Sequence, residues 1–230
     1  LLLMNSSVIT FPGSNCDRDI DVALKKFGFK NKMVWHDDIE LPKSDLVVLP
    51  GGFSYGDYLR CGSMASKSKI MKSIITFAKA GGKVMGICNG FQILVESGLL
   101  PGILLRNKYL EFICKNIFVK VNDKDNDYFK NIKKDTLELH VAHNEGNYFC
   151  TNEQIKEIDD NNQVALFYSD KAGNIDNKNN PNGSIKNIAG IFNKEKNILG
   201  MMPHPERMID PALSGEDGSI FFDNLINNLK

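Results

Sequence analysis

The sequence predicts an α/β fold in which an open, mostly parallel sheet carries helices on both faces. In the first hundred residues, short apolar runs alternate with longer amphipathic segments, the order of right-handed strand–helix–strand units. The run from Leu46 to Leu49 is apolar on both faces, as in a central parallel strand. Of 230 residues, 42% are hydrophobic and 24% are charged. Because such a chain can bury one sizeable core, we expect one domain over residues 1–230.

The first half of the chain divides into four strands and three helices. We expect strands at 8–11, 33–35, 46–49 and 84–87, and helices at 17–27, 67–80 and 89–97. Asn15 or Asp17 is the predicted N-cap of the first helix, because their side-chain oxygens can accept from free backbone N–H groups. The loops at 12–18 and 50–62 and the turn at Cys88 should converge at the carboxyl ends of the strands, where ligands bind in such sheets.

The second half is less regular. We expect strands at 117–121, 137–142, 164–168, 188–192 and 198–201, and a closing helix at 220–229. Patches rich in Asn and Lys at 122–134 and 171–187 are typical of solvated loops. The residues show no internal repeat.

Composition excludes several classes of partner. Lys and Arg number 28, as do Asp and Glu, so no net field attracts nucleic acid or an anionic membrane. The five cysteines are scattered and form no CxxC pair, which argues against a disulfide framework and a four-cysteine zinc site and favours a reducing cytoplasm. No apolar run approaches the roughly 20 residues of a membrane span. The segment Leu1 to Leu3 is too short for a signal peptide, and we expect it to be a scar or an upstream extension.

The turn at Gly86, Cys88 and Gly90 has the form of a nucleophile elbow, with cysteine in the place of serine. Glycines flank such a nucleophile because the strained turn leaves no room for neighbouring side chains. The first N–H groups of the following helix would point at the turn, where they favour a thiolate and can stabilise an oxyanion. Taken alone, the pattern also fits a buried structural cysteine at a strand end.

His204 is the candidate base for this cysteine. It lies in the tract Met202 to Arg207, just past a predicted strand, and Pro205 disfavours a helical conformation at His204. In the extended stretch that we expect there, residues two apart point the same way, so Glu206 can orient the imidazole. The order nucleophile, base, acid then resembles a hydrolase triad, although an isolated HPE tract also fits a surface turn.

Taken together, these motifs resemble those of class I (triad) glutamine amidotransferases. The resemblance spans residues 11–218 in the tracts FPGSNCDRD (11–19), PGGFSYGDYLRCG (50–62), GICNGFQ (86–92), GLLPG with LLRN (98–107), HPER (204–207) and GEDG (215–218). Two residues depart from the pattern: Asn144 replaces a glycine, and Lys115 stands where arginine is common. The resemblance implies a flavodoxin-like sheet.

The resemblance also implies a reaction and its residues. Cys88 would attack the side-chain amide of L-glutamine, and His204, held by Glu206, would protonate the departing ammonia. The oxyanion would lie between the N–H of Asn89 and that of Gly52 or Phe53, with Gly51 and Gly52 closing the loop. Gln92 would hydrogen-bond the substrate, and His143 would lie near its pocket or at a subunit interface.

The resemblance further implies that ammonia passes to a synthetase subunit, which uses ATP and Mg. The sequence leaves open whether a small third subunit bridges the complex. We expect no cofactor and no metal on this chain: the 50–62 loop lacks the GK[ST] ending of a phosphate-binding loop, and at strand spacing His140 and His143 point to opposite faces. Cys16 and Cys61 are interpreted as small polar fillers. Two alternatives stay open, a stand-alone cysteine hydrolase or chaperone of the same architecture, and a non-catalytic regulatory subunit.

Overall fold

The computed structural model describes residues 4–229, so the segment Leu1 to Leu3 lies outside the described residues. The eleven strands are β1 Asn5–Thr10, β2 Lys30–Trp35, β3 Leu46–Leu49, β4 Lys83–Ile87, β5 Ile103–Leu105, β6 Ile113–Val121, β7 Thr136–His143, β8 Asn147–Phe149, β9 Val164–Ser169, β10 Ile188–Phe192 and β11 Ile198–Met201. The described residues form five α-helices, α1 Asp17–Lys26, α2 Ile70–Lys79, α3 Asn89–Glu96, α4 Asn152–Asp160 and α5 Asp217–Leu229. Between residues 4 and 229, no helix combines the length and the apolar character needed to cross a membrane.

Nine of the strands form one sheet in the order β2-β1-β3-β4-β11-β10-β9-β6-β7. The pairs from β2 to β11 are parallel, and the pairs from β11 to β7 are antiparallel. Every residue of β3, β10 and β11 is buried, which requires cover on both faces of the sheet. The predicted open α/β sheet with helices on both faces is confirmed, and its second half joins by antiparallel strands. Strands β5 and β8 form a separate ribbon.

Element bounds follow the prediction most closely where strands are buried on both faces, as in β3 and β11. The prediction missed the ribbon strands β5 and β8 and the helix α4. A signal for α4 was present, because Thr151 and Gln154 form a capping box in which each side chain bonds the other residue's backbone N–H. The predicted N-cap of α1 is wrong: Cys16 holds that position without a side-chain cap, since the Asn15 oxygen accepts instead from the Cys16 thiol.

The two Asn- and Lys-rich patches are not simply solvated loops. In the first, Tyr128 is fully buried and its hydroxyl lies 2.8 Å from the carbonyl oxygens of both Val84 and Asn197. In the second, Asn182 is fully buried and its amide donates to the carbonyl of Gly146 at 2.7 Å. These buried polar side chains attach the irregular segments to the rest of the fold, because their hydrogen-bonding groups find partners in the protein interior.

Candidate active site

Cys88 lies at a strained turn between β4 and α3. Its φ of +51° is in the left-handed region, which costs a residue with a side chain about 1 kcal/mol or more. A Cβ on Gly90 would overlap the backbone carbonyl of Leu49, and one on Gly86 would lie 2.6 Å from the carbonyl oxygen of Gly90. The two flanking glycines are therefore required by close backbone approach, as the elbow pattern predicts. The Cys88 N–H donates to the Met201 carbonyl at 2.7 Å, which anchors the turn to β11.

His204 and Glu206 form a buried pair directly after β11. The two atoms His204 Nδ1 and Glu206 Oε1 are 2.6 Å apart, and the residues are 1% and 3% exposed. The backbone N–H of His204 donates to the backbone carbonyl of His140 at 2.8 Å, which connects this segment to β7. His204 Nε2 has no hydrogen-bond partner among residues 4–229, so this nitrogen is free to exchange a proton.

The local conformation differs from the predicted extended stretch. Pro205–Arg207 form a 3₁₀ turn, closed by the Met208 N–H donating to the Pro205 carbonyl at 3.0 Å. The fixed φ of Pro205 suits the first position of a helical turn as well as extended chain. Glu206 thus reaches His204 across a turn instead of along a strand.

The GEDG tract (215–218) packs against this turn through Gly218. A Cβ on Gly218, in the first turn of α5, would overlap the carbonyl oxygen of Pro205. The Gly218 N–H donates to the Met208 carbonyl at 2.8 Å. The tract therefore fixes the position of the His204 segment, a role that local sequence patterns did not reveal.

The surroundings of His204 favour its charged form. Burial by itself would lower the pKa of the imidazole, but the charges of Glu206 and Cys88 raise that pKa well above its ordinary value. His204 and Cys88 line one pocket of about 490 Å³. The arrangement can hold an imidazolium beside the nucleophilic sulfur, as acyl transfer from a thiol requires.

Cys16 lies beside the same imidazole, which the sequence did not predict. Its sulfur accepts from Arg207 Nη2 at 3.1 Å, and ligand atoms of Cys16, His204 and Glu206 lie within 4.8 Å of one another. Three potential metal ligands thus meet here, but Nδ1 of His204 is already engaged by the carboxylate. His140 Nδ1 and His143 Nδ1 have separate hydrogen-bond partners, Asn116 and Asn107.

The Pro50–Gly62 loop reaches the pocket through Gly51 to Phe53. A Cβ on Gly51 would lie 2.6 Å from His204 Cε1, and Gly52 has a φ of +144° that favours glycine. The Phe53 N–H donates to the Gly13 carbonyl at 3.2 Å, so it is occupied. Asn89 is the first residue of α3, and its N–H has no partner within the helix. Of the predicted oxyanion donors, the Phe53 N–H is therefore directed at the Gly13 carbonyl and not at a substrate in the pocket, whereas the Asn89 N–H has no partner within its helix.

Gln92 and His143 also line the pocket. The Gln92 amide donates to the backbone carbonyl of Glu145 at 2.6 Å and accepts from Asn89 Nδ2 at 2.8 Å. Both ends of this amide are bonded within the protein. His143 Nδ1 donates to Asn107 Oδ1 at 3.1 Å, and burial lowers the pKa of His143 to about 4. His143 is therefore a neutral, fixed wall residue.

Five residues that the sequence did not single out also line the pocket, namely Asp57, Arg106, Phe112, Cys114 and Glu145. Cys16 and Cys61, interpreted from the sequence as fillers, line it too. Asn144 is exposed at its edge, and its backbone carbonyl accepts from the Asn107 N–H at 2.9 Å. Most of these residues belong to tracts that carry the family resemblance, but no local pattern shows that they meet.

Comparisons with known proteins identify the family of the chain. The model of the CobB/CobQ-like glutamine amidotransferase domain matches residues 4–215. The chain is 83% identical over 227 residues to phosphoribosylformylglycinamidine synthase subunit PurQ of Pelagibacter ubique, covering 99% of this chain and 100% of that protein. It is 48% identical to the same subunit of Prochlorococcus marinus, covering 97% and 100%.

Solved structures give the same result. The chain resembles a chain of the PurLQS structure from Thermotoga maritima, with a TM-score of 0.87, 39% identity and full coverage of both chains. A glutamine amidotransferase from Thermotoga maritima shares the fold alone, with a TM-score of 0.64 and 17% identity over the whole of both chains. The resemblance to glutamine amidotransferases is thereby confirmed. The chain belongs to the CobB/CobQ-like glutamine amidotransferase family and, within it, to the PurQ subunits of phosphoribosylformylglycinamidine synthase.

Proposed function

We propose that this chain hydrolyses L-glutamine to glutamate and ammonia through a thioester on Cys88. The ammonia then serves a synthetase subunit that converts formylglycinamide ribonucleotide to formylglycinamidine ribonucleotide in purine biosynthesis. One observation carries the proposal: His204, bonded to the buried Glu206, lines the same pocket as the elbow cysteine. Neither a stand-alone hydrolase nor a regulatory subunit is favoured by any feature of the site.

The first half of the reaction forms the thioester. The Cys88 thiolate adds to the side-chain amide carbon of glutamine, and the amide oxygen takes up negative charge. The Asn89 N–H at the start of α3 stabilises that charge, and a second donor comes from Gly52, or from Phe53 once its N–H is released from the Gly13 carbonyl. His204 then gives the proton on Nε2 to the departing nitrogen, the C–N bond breaks, and ammonia leaves.

The second half releases glutamate. A water molecule loses its proton to His204 Nε2 and attacks the thioester carbon, and the C–S bond breaks to restore the thiolate. Glu206 acts in both halves by holding Nδ1, which keeps Nε2 directed at the reacting atoms and stabilises the imidazolium. Gln92 and His143 shape the wall on which the substrate lies. Direct contact of Gln92 with glutamine remains a prediction, because its amide is bonded to Asn89 and Glu145 here.

The ATP and Mg of the overall reaction belong, in this proposal, to the synthetase partner. No cofactor is assigned to this chain. The solved relative from Thermotoga maritima is part of an assembly named PurLQS, which supports a synthetase partner and a small third subunit.

The test is a labelling experiment combined with a glutamate assay. Purified chain, alone and with its synthetase partner, is treated with iodoacetamide, and modified cysteines are identified by mass spectrometry. We expect rapid modification of Cys88, protection by glutamine, and glutamate release that Cys88→Ser abolishes. Labelling of Cys114 is followed separately, because Cys114 is exposed but lines the same pocket. Rapid labelling of Cys88 without protection by glutamine, and without glutamate release in the complex, would refute the proposal.

A further inference from the structure

A second cysteine–histidine pair lies on the sheet, outside the catalytic residues already described. Cys114 in β6 and His140 in β7 lie on the same face, and the Cys114 sulfur is 3.5 Å from His140 Nε2. In the antiparallel register Asn116 lies directly opposite His140, and Asn116 Oδ1 is 3.0 Å from His140 Nδ1. A thiol, an imidazole and an orienting amide in this order form the constellation of a cysteine with an oriented base.

The hydrogen bonds determine which nitrogen of His140 faces the thiol as an acceptor. Asn116 Nδ2 lies 3.5 Å from Glu138 Oε1, and because an ionised carboxylate only accepts, Asn116 Oδ1 is the atom directed at His140. His140 Nδ1 therefore carries the ring proton, and Nε2 accepts from the Cys114 S–H. Burial lowers the pKa of His140, and nearby positive charges lower it further, so the imidazole is neutral near pH 7 and can take up a proton.

Cys114 is accessible and close to the nucleophile. Of the five cysteines, all of which lie within the described residues, only Cys114 is exposed. It lines the same pocket of about 490 Å³ as Cys88, which is 4% exposed. The Cys88 sulfur lies 3.7 Å from the carbonyl oxygen of Ala142, and Ala142 pairs with Cys114 in the sheet. A reagent in solvent can therefore reach Cys114, and a group attached there can extend into the pocket.

The position of Cys114 favours disulfide exchange over amide hydrolysis. Cys114 lies within the regular strand β6, so it lacks the helix N-terminus that follows Cys88. Acyl transfer requires donors that stabilise an oxyanion. Thiol–disulfide exchange forms no oxyanion and requires only that the attacking sulfur lose its proton. The neutral imidazole of His140 meets that single requirement.

We propose that Cys114 is a redox modification site, at which a low-molecular-weight disulfide forms a reversible mixed disulfide that closes the pocket to glutamine. His140 takes the proton of Cys114 as the sulfur attacks one sulfur of the reagent. A new S–S bond forms, the S–S bond of the reagent breaks, and the departing thiolate takes the proton from His140. Cys114 is oxidised and one half of the reagent is reduced, so an excess of dithiothreitol reverses the step. Closure of the pocket rests on the proposed function, whereas the reactivity of Cys114 does not.

The first experiment measures the reactivity of Cys114. The purified chain is treated with glutathione disulfide, and modified cysteines are followed over time by mass spectrometry. The reference is a synthetic peptide of residues 111–117, which keeps the neighbours of Cys114 and lacks His140. We expect Cys114 in the chain to react about 3- to 10-fold faster than the peptide, and His140→Gln to bring it to the rate of the peptide. Asn116→Ala should slow the reaction, and Asn116→Asp, which keeps an oxygen acceptor, should restore it. The control Asn152→Ala alters an exposed asparagine of α4 and should leave the rate unchanged.

The second experiment measures the effect on the pocket. Modified chain is freed of reagent, combined with its synthetase partner and compared with its own untreated sample. Glutamine-dependent synthesis should fall in proportion to the modified fraction of Cys114 and return with dithiothreitol, while synthesis from free ammonium continues. Treated Cys114→Ser should keep the activity of untreated Cys114→Ser. Thermal unfolding shows that each variant is folded.

The outcomes separate the two levels of inference. A rate equal to that of the peptide, or one unaffected by His140→Gln, would overturn the assisted thiol. Equal inhibition of Cys114→Ser would place the inhibitory adduct on another cysteine and overturn the role of Cys114. If the unaltered complex releases no glutamate although Cys114 reacts with the help of His140, the proposed function fails and the reactive thiol stands. If glutamine hydrolysis persists after full modification of Cys114, closure of the pocket fails and the reaction stands.

Discussion

Replacing Glu206 by glutamine tests how much of the activity depends on the charge beside His204. The change keeps the size of the side chain and one oxygen that can accept from His204 Nδ1, where Glu206 Oε1 now lies at 2.6 Å. It removes the negative charge that opposes the effect of burial on the imidazole. The proton on His204 should therefore be held less tightly in the variant.

The size of the effect follows from the geometry. Two opposite charges about 4 Å apart, in surroundings with an effective dielectric constant of about 20, attract with about 4 kcal/mol. Loss of that attraction lowers the pKa of His204 by up to about three pH units. If the whole amount is lost in the transition state, glutaminase activity falls about 1,000-fold. Removal of the proton carrier in His204→Ala should cost about tenfold more, or a larger factor.

Two measurements check this prediction. Glutamate release by the complex gives kcat/KM, and NMR titration of the four histidines gives the His204 pKa directly. In the unaltered chain His204 should stay protonated to high pH, and in Glu206→Gln it should lose its proton at lower pH. Because Glu206 Oε2 is buried and has no hydrogen-bond partner within residues 4–229, the new amide nitrogen lacks acceptors there and should cost about 1 to 3 kcal/mol of stability. Thermal unfolding must therefore show that the variants are folded.

The reasoning would be refuted by either of two results in folded variants. One is an equal loss of activity in Glu206→Gln and His204→Ala, which would remove the distinction between orienting group and proton carrier. The other is an unchanged His204 titration in Glu206→Gln. The matched control is Glu40→Gln, which alters an exposed acid elsewhere and should change neither activity nor the titration.

Three other predictions concern the nucleophile, the oxyanion loop and the elbow. Cys88→Ala should abolish glutamine-dependent synthesis while the assembled complex still uses free ammonium at high concentration, and loss of both activities would point to a further role. Because the Phe53 N–H is bonded to Gly13, the chain alone should hydrolyse glutamine about 100- to 1,000-fold more slowly than the complex, and equal steady-state turnover would show a preformed site. Gly90→Ala should lower the free energy of unfolding in urea by about 3 kcal/mol, because its Cβ meets the Leu49 backbone, and an unchanged midpoint would contradict this contact.

The sequence by itself determined the elements whose signals are local. The strands β3 and β11 are apolar throughout, and their bounds followed directly because burial on both faces leaves no alternation to interpret. The elbow at Cys88 could be predicted because both glycines flank the cysteine in one short tract, although the close approach that requires Gly90 comes from Leu49 on β3. The pairing of His204 with Glu206 was predicted for the same reason, although the turn between them was not.

Only the tertiary structure decided which distant segments share the pocket. Cys16 and His204 lie far apart in the chain, and β7, which carries His143, joins the sheet by antiparallel pairing that apolar periodicity does not specify. The same holds for Asp57, because only its surroundings show that its buried Oδ1 has no hydrogen-bond partner among residues 4–229. Side-chain periodicity records which face of an element is buried, but it does not record which other element covers that face. Contacts between distant segments are fixed by packing of the whole chain.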